Sequence, residues 1–416
     1  MHIDPDQSLH GASPPLNDMS VSRAIEYLDQ LQASLDAARD REAALRRRVS
    51  NLERDRETLR AKLDKRPYGR WTRRASASKD ARQQQPEIPD IRPSNREAPV
   101  IACILDEFST QAFAPDARLV QLTPDNWQRQ LADSHPATLL VESAFAGHEG
   151  QWTGRIARFG QPSQALVHIV KACREASIPT VFWNKEDPIN FELFAVTASL
   201  FDVILSVDAD SLERYRRLAP HAGLGVLPFA AQPSIHYPPV AERLRGVAFA
   251  GAYYAAKHPE RQEQMELILN PAREFDLDIY DRLGKTDPRF RWPQKYQAHI
   301  RGTLSYAETI QMYREYKVFL NVNTVTDSPT MCSRRIFELL ACGTPIVSGP
   351  SQAITELIPA DLVLIANTPD ETRQHIRRAL NDVDYASHVA TEGPKWIANG
   401  NTYTDRLRTI DRAANM

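Results

Sequence analysis

Arg334, Arg335 and Glu338 are the residues whose types and spacing in this sequence point most directly to chemistry. They lie in the stretch 321–345. It reads as a buried strand ending near Val322, a polar loop with Pro329, a helix opening around Ser333, and a new strand after Gly343. Ser333 is a residue type that caps helices, and Gly343 suits the position just past a helix end. A helix N-terminus leaves backbone N–H groups unpaired and carries the positive end of the helix dipole. Cations in the first turn are unfavourable unless an anion is close, so Arg334 and Arg335 point to a phosphate site. Glu338 follows Arg334 by four positions and shares its helix face. Its two oxygens can accept both hydroxyls of a ribose. One helix would then hold a diphosphate at its tip and a ribose on its flank, as a nucleoside diphosphate requires. The same spacing also permits a plain Arg334–Glu338 ion pair.

These residues need a scaffold. From Pro99 onward, short apolar runs alternate with helical patterns. Strands are expected at 100–105, 119–122, 137–141, 180–183, 203–206 and 225–227, with helices such as 164–176 and 209–218 between them. After Pro238-Pro239 the texture restarts, with strands at 246–250, 277–279, 298–300, 318–322, 345–347 and 362–365. Helices are expected at 261–269, 306–316, 334–341 and 370–380, with a final polar helix at 404–414. Such alternation means parallel sheets covered by helices. The expected fold class is α/β: two doubly wound, Rossmann-like domains at 98–235 and 236–416, joined by a proline-rich hinge at 228–239. Open parallel sheets bind ligands at the carboxyl ends of their strands, so two facing domains make a cleft for two substrates. Asp106-Glu107-Phe108 follows the first strand and Asn184-Lys185-Glu186-Asp187-Pro188 follows the strand at 180–183, both facing that cleft. Glu142, ending the strand at 137–141, is a weaker candidate. His148 and His299 are isolated. Asp208-Ala209-Asp210 and Asp382-Val383-Asp384 match an Asp-x-Asp metal pattern but read as helix-start or turn acids.

The run from Ser333 to Pro345, with Arg334, Arg335, Glu338 and Gly343, resembles the donor-binding signature of GT-B glycosyltransferases of the group 1 type. It is most similar to the branch near the CgeB-like spore-maturation proteins. The stretch 247–253 resembles the glycine turn that opens the donor domain, with Gly251 and Tyr253 in it and Arg261 following. The stretches 302–306 and 313–323 resemble the segment leading into the donor loop, and 227–231 resembles the hinge. The resemblance covers about 99–416. It implies that Glu338 binds the ribose, and that Arg334, Arg335 and the loop from Ser328 to Ser333 hold the diphosphate. Many retaining members carry an acid eight positions before this glutamate. Here that position is Thr330, with Asp327 nearby as a substitute. The implied reaction is sugar transfer from a nucleoside diphosphate sugar to a glycan, lipid or protein acceptor. The N-terminal domain would take the acceptor and the C-terminal domain the donor. The arginines and the helix tip would stabilise the leaving diphosphate, with no metal and no cofactor beyond the sugar nucleotide itself. Glu107 or Glu186 would serve as base if the enzyme inverts, and Lys185 would bind sugar or phosphate. A nucleotide-sugar epimerase of the same architecture, or a scaffold with a vestigial cleft, remains open.

Residues 1–19 read as a disordered leader. At 20–66, Leu28, Leu31, Leu35, Ala38, Leu45, Val49, Leu52, Leu59 and Leu63 fall on alternating spacings of three and four, with Glu42 and Arg56 on the same seam. That is a coiled-coil pattern, expected to pair copies of the chain into a homo-oligomer. Residues 67–97 read as a basic, Pro-rich linker, a solvated tether or a peripheral contact to acidic membrane lipid. A formal net charge of −2 over 416 residues argues against a chain built to coat nucleic acid. No apolar run is long enough to span a membrane, and the N-terminus lacks a secretory pattern. Cys103, Cys173, Cys332 and Cys342 form no metal or redox spacing. They read as reduced, buried thiols of a bacterial cytoplasmic protein.

Overall fold

The computed structural model describes residues 98–158, 160–254, 259–283 and 290–415. The expected leader, coiled coil and linker lie outside the described residues. Residues 88–416 group as one unit, which holds two parallel six-stranded sheets.

The first sheet contains β1 (Val100–Ile104), β2 (Arg118–Gln121), β3 (Thr138–Glu142), β4 (Thr180–Asn184), β5 (Val203–Ser206) and β6 (Gly223–Val226). Its order is β2-β1-β3-β4-β5-β6. The second contains β7 (Arg245–Gly251), β8 (Leu277–Asp281), β9 (Ile300–Gly302), β10 (Tyr316–Asn321), β11 (Ile346–Ser348) and β12 (Val363–Ile365), in the order β12-β11-β10-β7-β8-β9. Strands β3, β4 and β5 are buried at every residue. Helices cover both faces of such a sheet, so these runs are continuously apolar rather than alternating. In each sheet the chain first builds outward and then crosses back, leaving a switch point between β1 and β3 and another between β7 and β10. Ligands of open α/β sheets bind in that crevice. The two sheets with their flanking helices fit the expected two-domain GT-B arrangement.

The helices of the first sheet are α1 (Glu107–Phe113), α2 (Trp127–Ser134), α3 (Gln164–Glu175), α4 (Phe191–Ala198) and α5 (Ser211–Leu218). Those that follow are α6 (Pro259–Ala272), α7 (Tyr306–Glu315), α8 (Arg334–Ala341), α9 (Gln352–Leu357), α10 (Pro369–Asn381), α11 (Val383–Ala398) and α12 (Tyr403–Ala414). The last of these departs from expectation. Helix α12 leaves the second sheet and packs Tyr403, Leu407 and Ile410 into the core around Phe113 and Trp183 of the first. Those three residues recur at helical spacing and need an apolar partner surface. Arg406 on the same helix donates to the carbonyls of Pro228 (2.8 Å) and Phe229 (2.9 Å), tying the hinge to α12.

Helix α8 is positioned by its end and by a neighbour. Gly343 N–H bonds to Leu340 O (3.0 Å) and Thr344 N–H to Leu339 O (2.9 Å), the bond pair of a Schellman cap. Gly343 sits at φ +63°, and a Cβ there would lie 2.7 Å from Ala390 Cα on α11. Gly393 returns the contact, because its Cβ would lie 2.7 Å from Leu340 O. The two glycines let α8 and α11 approach backbone to backbone.

Candidate active site

Arg335 and Arg261 meet at the β7/β10 switch point. Arg335 Nη2 donates to Ala250 O at the end of β7. Arg261, on the first turn of α6, reaches Val322 O (3.2 Å) and Thr324 Oγ1 (3.1 Å) beyond β10, and Ala252 O (3.4 Å). Gly251 leaves room for the Phe249 ring, 2.9 Å from where a Cβ would stand. Among the described residues neither arginine has a carboxylate partner. Burial, then the charge of Arg335, push the Arg261 guanidinium down to about 10. The Nε atoms of both are buried without a partner among the described residues. Two guanidinium groups held together by neutral carbonyls leave a local excess of positive charge, which an anion would relieve. Tyr253 lies beside this pocket, its ring 5.3 Å from that of Trp292.

Arg334, the neighbour of Arg335 in sequence, points elsewhere. Its Nε lies 2.8 Å from Glu338 Oε1, and its guanidinium carbon lies 4.2 Å over the Phe108 ring and 5.2 Å over Tyr306. The two arginines expected at one diphosphate thus have different neighbours in this structure. The pair facing the crevice is Arg335 with Arg261. Glu338 is fully buried. Tyr306 donates to its Oε1 (2.9 Å) and Tyr313 to its Oε2 (3.2 Å). His236 accepts from Gln232 N–H at Nδ1 (3.1 Å), so its proton sits on Nε2, 3.1 Å from Tyr306 Oη. Burial pushes the His236 imidazole down to about 4, leaving it neutral. Burial works to raise the Glu338 carboxyl, but chiefly the charge of Arg334, with the Tyr306 hydroxyl, outweighs it and holds it down. For Arg334 the balance runs the other way, with Glu338 overcoming burial and raising it. The ion pair permitted by the spacing is present, in a buried form, and both oxygens that a ribose would need are occupied. Sequence reading missed Tyr306, Tyr313 and His236 as partners of Glu338. They come from α7 and the hinge segment, and nothing local marks the contact.

The loop between β10 and α8 is a strap to the first sheet. Ser328 Oγ donates to Asp208 Oδ1 (2.6 Å). Thr330 Oγ1 donates to Val207 O (2.9 Å) and accepts from Ala209 N–H (2.8 Å). Ser328 and Thr330, expected at the diphosphate, thus spend their hydroxyls on the first sheet. Asp327 is exposed. Ser333 stands at the N-cap of α8, but its hydroxyl makes no cap bond. Asp208 also accepts from Ser211 N–H (3.0 Å), and Asp382 caps α11 through Tyr385 N–H (2.9 Å), so both Asp-x-Asp runs serve helix starts.

Across the crevice, the β1/β3 switch point gathers a lysine and two carboxylates. Lys185 Nζ contacts Asp106 Oδ2 and Glu142 Oε1, the latter at 2.9 Å. Ser109 Oγ donates to Glu142 Oε2, and Asp106 caps α1 through Ser109 N–H (3.0 Å). Burial, then the charge of Asp106, push the Glu142 carboxyl up to about 7. Burial would raise Asp106 as well, but Lys185, Ser109 N–H and Arg334 hold it down at about 2. Lys185 is raised because the two carboxylates outweigh its burial. Glu107, the expected base, is exposed and bonded only to Gln111 Nε2 (3.2 Å) among the described residues. The cap residue before it, Asp106, faces the site instead. Glu186 accepts from Asn190 Nδ2 (2.8 Å), and burial raises its carboxyl against Lys185 and Arg282. The four cysteines are free and buried, as expected.

Residues 255–412 match the model of a glycosyl transferase-like family. No curated protein matches the chain. Similar solved structures include Anabaena Alr3699/HepE in complex with UDP and glucose, at 12% identity over 76% of this chain and 100% of that one, with a TM-score of 0.48. A glycosyltransferase from Rickettsia africae is 9% identical over 76% and 98%, with a TM-score of 0.47. A sucrose-phosphate synthase from Thermosynechococcus elongatus is 12% identical over 70% and 75%, with a TM-score of 0.46. No helix among the described residues is long and apolar enough to cross a membrane.

Proposed function

We propose that the chain transfers a sugar from a nucleoside diphosphate sugar to a hydroxylated acceptor. The observation that carries this is the pairing of Arg261 with Arg335 at the β7/β10 switch point, each bonded only to neutral oxygens among the described residues. The family match over 255–412 covers the elements that build this pocket from Arg261 onward and supports glycosyl transfer as the reaction. A diphosphate seated there neutralises the two guanidinium groups. As the bond from the anomeric carbon to the phosphate oxygen breaks, negative charge grows on the diphosphate, and fixed cations beside it lower the barrier. That charge stabilisation needs no metal ion. The acceptor oxygen bonds to the anomeric carbon from the side of Asp106, Lys185 and Glu186, and its proton leaves to a carboxylate or to water. Donor ribose hydroxyls would bond to Glu338.

The test is binding and turnover in EDTA. Thermal shift with a panel of nucleoside diphosphates should identify one base that raises the melting temperature. Arg335→Ala and Arg261→Met should each weaken that ligand about 10- to 100-fold, the worth of a charged hydrogen bond. Unchanged affinity in both variants refutes the phosphate assignment. Incubation with the sugar nucleotide alone, followed by product analysis, separates transfer from epimerisation.

A further inference from the structure

Glu338 has four neighbours on its oxygens, Tyr306, Tyr313, Arg334 and the buried His236 (Nε2 3.6 Å from Oε1), and they differ in exposure. Tyr306 and Tyr313 are buried in the body of the second sheet. The Arg334 side chain is 25% exposed, against 1% for Glu338 itself. The way from solvent to the carboxylate therefore runs past Arg334. That guanidinium rests against two touching rings. One face covers Phe108, with 4.2 Å from its carbon to the ring centroid, and Tyr306 lies 5.2 Å away. The rings of Phe108 and Tyr306 meet edge to face at 4.6 Å and 85°. Phe108 also joins the small apolar cluster of Ile235, Tyr306 and Ile310.

Phe108 does not belong to the second sheet. It sits in the first turn of α1, two residues after Asp106. Asp106 caps that helix and is pinned by Lys185, so Phe108 is held from the acceptor side of the crevice. Asp106 also adds to the charge around Arg334. A side chain of one sheet thus latches the cation that shields the carboxylate of the other.

We propose that Phe108 and Arg334 form a gate over Glu338, and that a nucleoside diphosphate opens it on binding. This rests on the reading of Glu338 as the ribose partner and of Arg261 with Arg335 as the phosphate partners. To open Oε1 to solvent, Arg334 must leave the carboxylate, and it cannot leave freely while its guanidinium lies over the Phe108 ring. Donor binding therefore has to break the Phe108 contacts as well as the ion pair. The cost of breaking them is subtracted from donor affinity, because a ligand binds in proportion to the population of the open state. The phosphate pocket itself, at Arg261 and Arg335, makes no contact with Phe108 and requires no such opening.

That difference gives the experiment its control. Two ligands are titrated by calorimetry into the full chain and into Phe108→Ala: the nucleoside diphosphate selected by thermal shift, and inorganic pyrophosphate. An edge-to-face aromatic contact plus a cation–π contact amount to about a tenfold factor in the gate equilibrium. Phe108→Ala should therefore bind the nucleoside diphosphate about tenfold more tightly, while its pyrophosphate affinity stays unchanged. Phe108→Leu, which keeps the bulk but loses the ring, should fall between. Equal nucleoside diphosphate affinity in wild type and Phe108→Ala overturns the gate alone. A matched change for both ligands in the same direction also overturns it, since it shows a general effect of the substitution on the fold. Absence of nucleoside diphosphate binding by either protein overturns the donor reading and the gate with it.

Discussion

Replacing Glu142 by glutamine tests the electrostatics of the acceptor-side cluster in a way that depends on sign as well as size. Glu142 is fully buried, with Lys185 Nζ 2.9 Å from Oε1 and Ser109 on Oε2. Burial and the neighbouring Asp106 carboxylate raise its carboxyl from the usual 4.5 to about 7. The folded chain therefore holds a proton that the unfolded chain releases. Such a group contributes stability below its unfolded value, and that contribution is lost as pH rises through the folded one. A rise of this size corresponds to about 3 kcal/mol in total, most of it lost between pH 5 and 8. The glutamine amide keeps the shape and still accepts from the Asp106 N–H, but has nothing to titrate. The expected outcome is that Glu142→Gln gains stability relative to wild type as pH increases, by about 2 to 3 kcal/mol from pH 5 to 8. Urea unfolding midpoints at half-unit pH steps measure this, with the slope m checked for constancy. Parallel pH profiles for the two proteins would refute the reasoning, because they would mean that Lys185 cancels the burial cost of the anion.

Two further positions probe the scaffold around the pocket. Thr330→Val removes the hydroxyl that serves both Val207 O and Ala209 N–H, and should cost about 2 kcal/mol by urea unfolding. Thr330→Glu should cost more at pH 7 than Thr330→Val, since it adds bulk and sets a negative charge against the Val207 carbonyl oxygen; the reverse ranking would show that the strap tolerates an acid there. Gly343→Ala places a Cβ at φ +63° and 2.7 Å from Ala390 Cα, and should destabilise the fold by at least about 2 kcal/mol in thermal unfolding.

The sheets were legible because their strands are buried on both faces. Val203–Ser206 has no polar residue before its last position, and Thr180–Asn184 has none between its ends, so the apolar signal is continuous. Helix α8 was legible for a related reason, since Gly343 stops it with a backbone that only glycine adopts cheaply. Helix α11 was not expected, because Gly393 and Pro394 sit inside it and argue locally against a helix. Packing decides there: Gly393 is where Leu340 O comes closest, and no local rule carries that contact. The acceptor-side cluster was half legible. Its strand-end segments were visible, but Glu107 was preferred over Asp106, and only the cap geometry of α1 shows which of the two turns inward. Lys185 was visible as a residue at a strand end, while its two partners come from strands that are neighbours only in space.

Adjacent arginines on a helix leave it about 100° apart, so Arg334 and Arg335 start toward different neighbours. A doubled charge in the first turn reads in sequence as one strong anion site. In the fold it divides into two jobs. Arg335 turns toward β7 and joins Arg261, distant in the chain, at a place where neutral carbonyls leave their charge unspent. Arg334 turns toward α1 and α7, closes over Glu338 and touches the first sheet. Spacing alone lets Glu338 meet Arg334 at four residues or Arg335 at three; in the fold its oxygen lies 2.8 Å from Arg334 Nε, while Arg335 acts on it only through its charge. A carboxylate that shares a face with one arginine is removed from the ligand of the other. On the proposed function, the two jobs of this helix, holding a phosphate and shielding a ribose partner, follow from the one-residue offset between two identical side chains. Exchanging them is not conservative. Arg335→Lys loses the planar fork that reaches Ala250 O, and Arg334→Lys loses the flat face that stacks on Phe108.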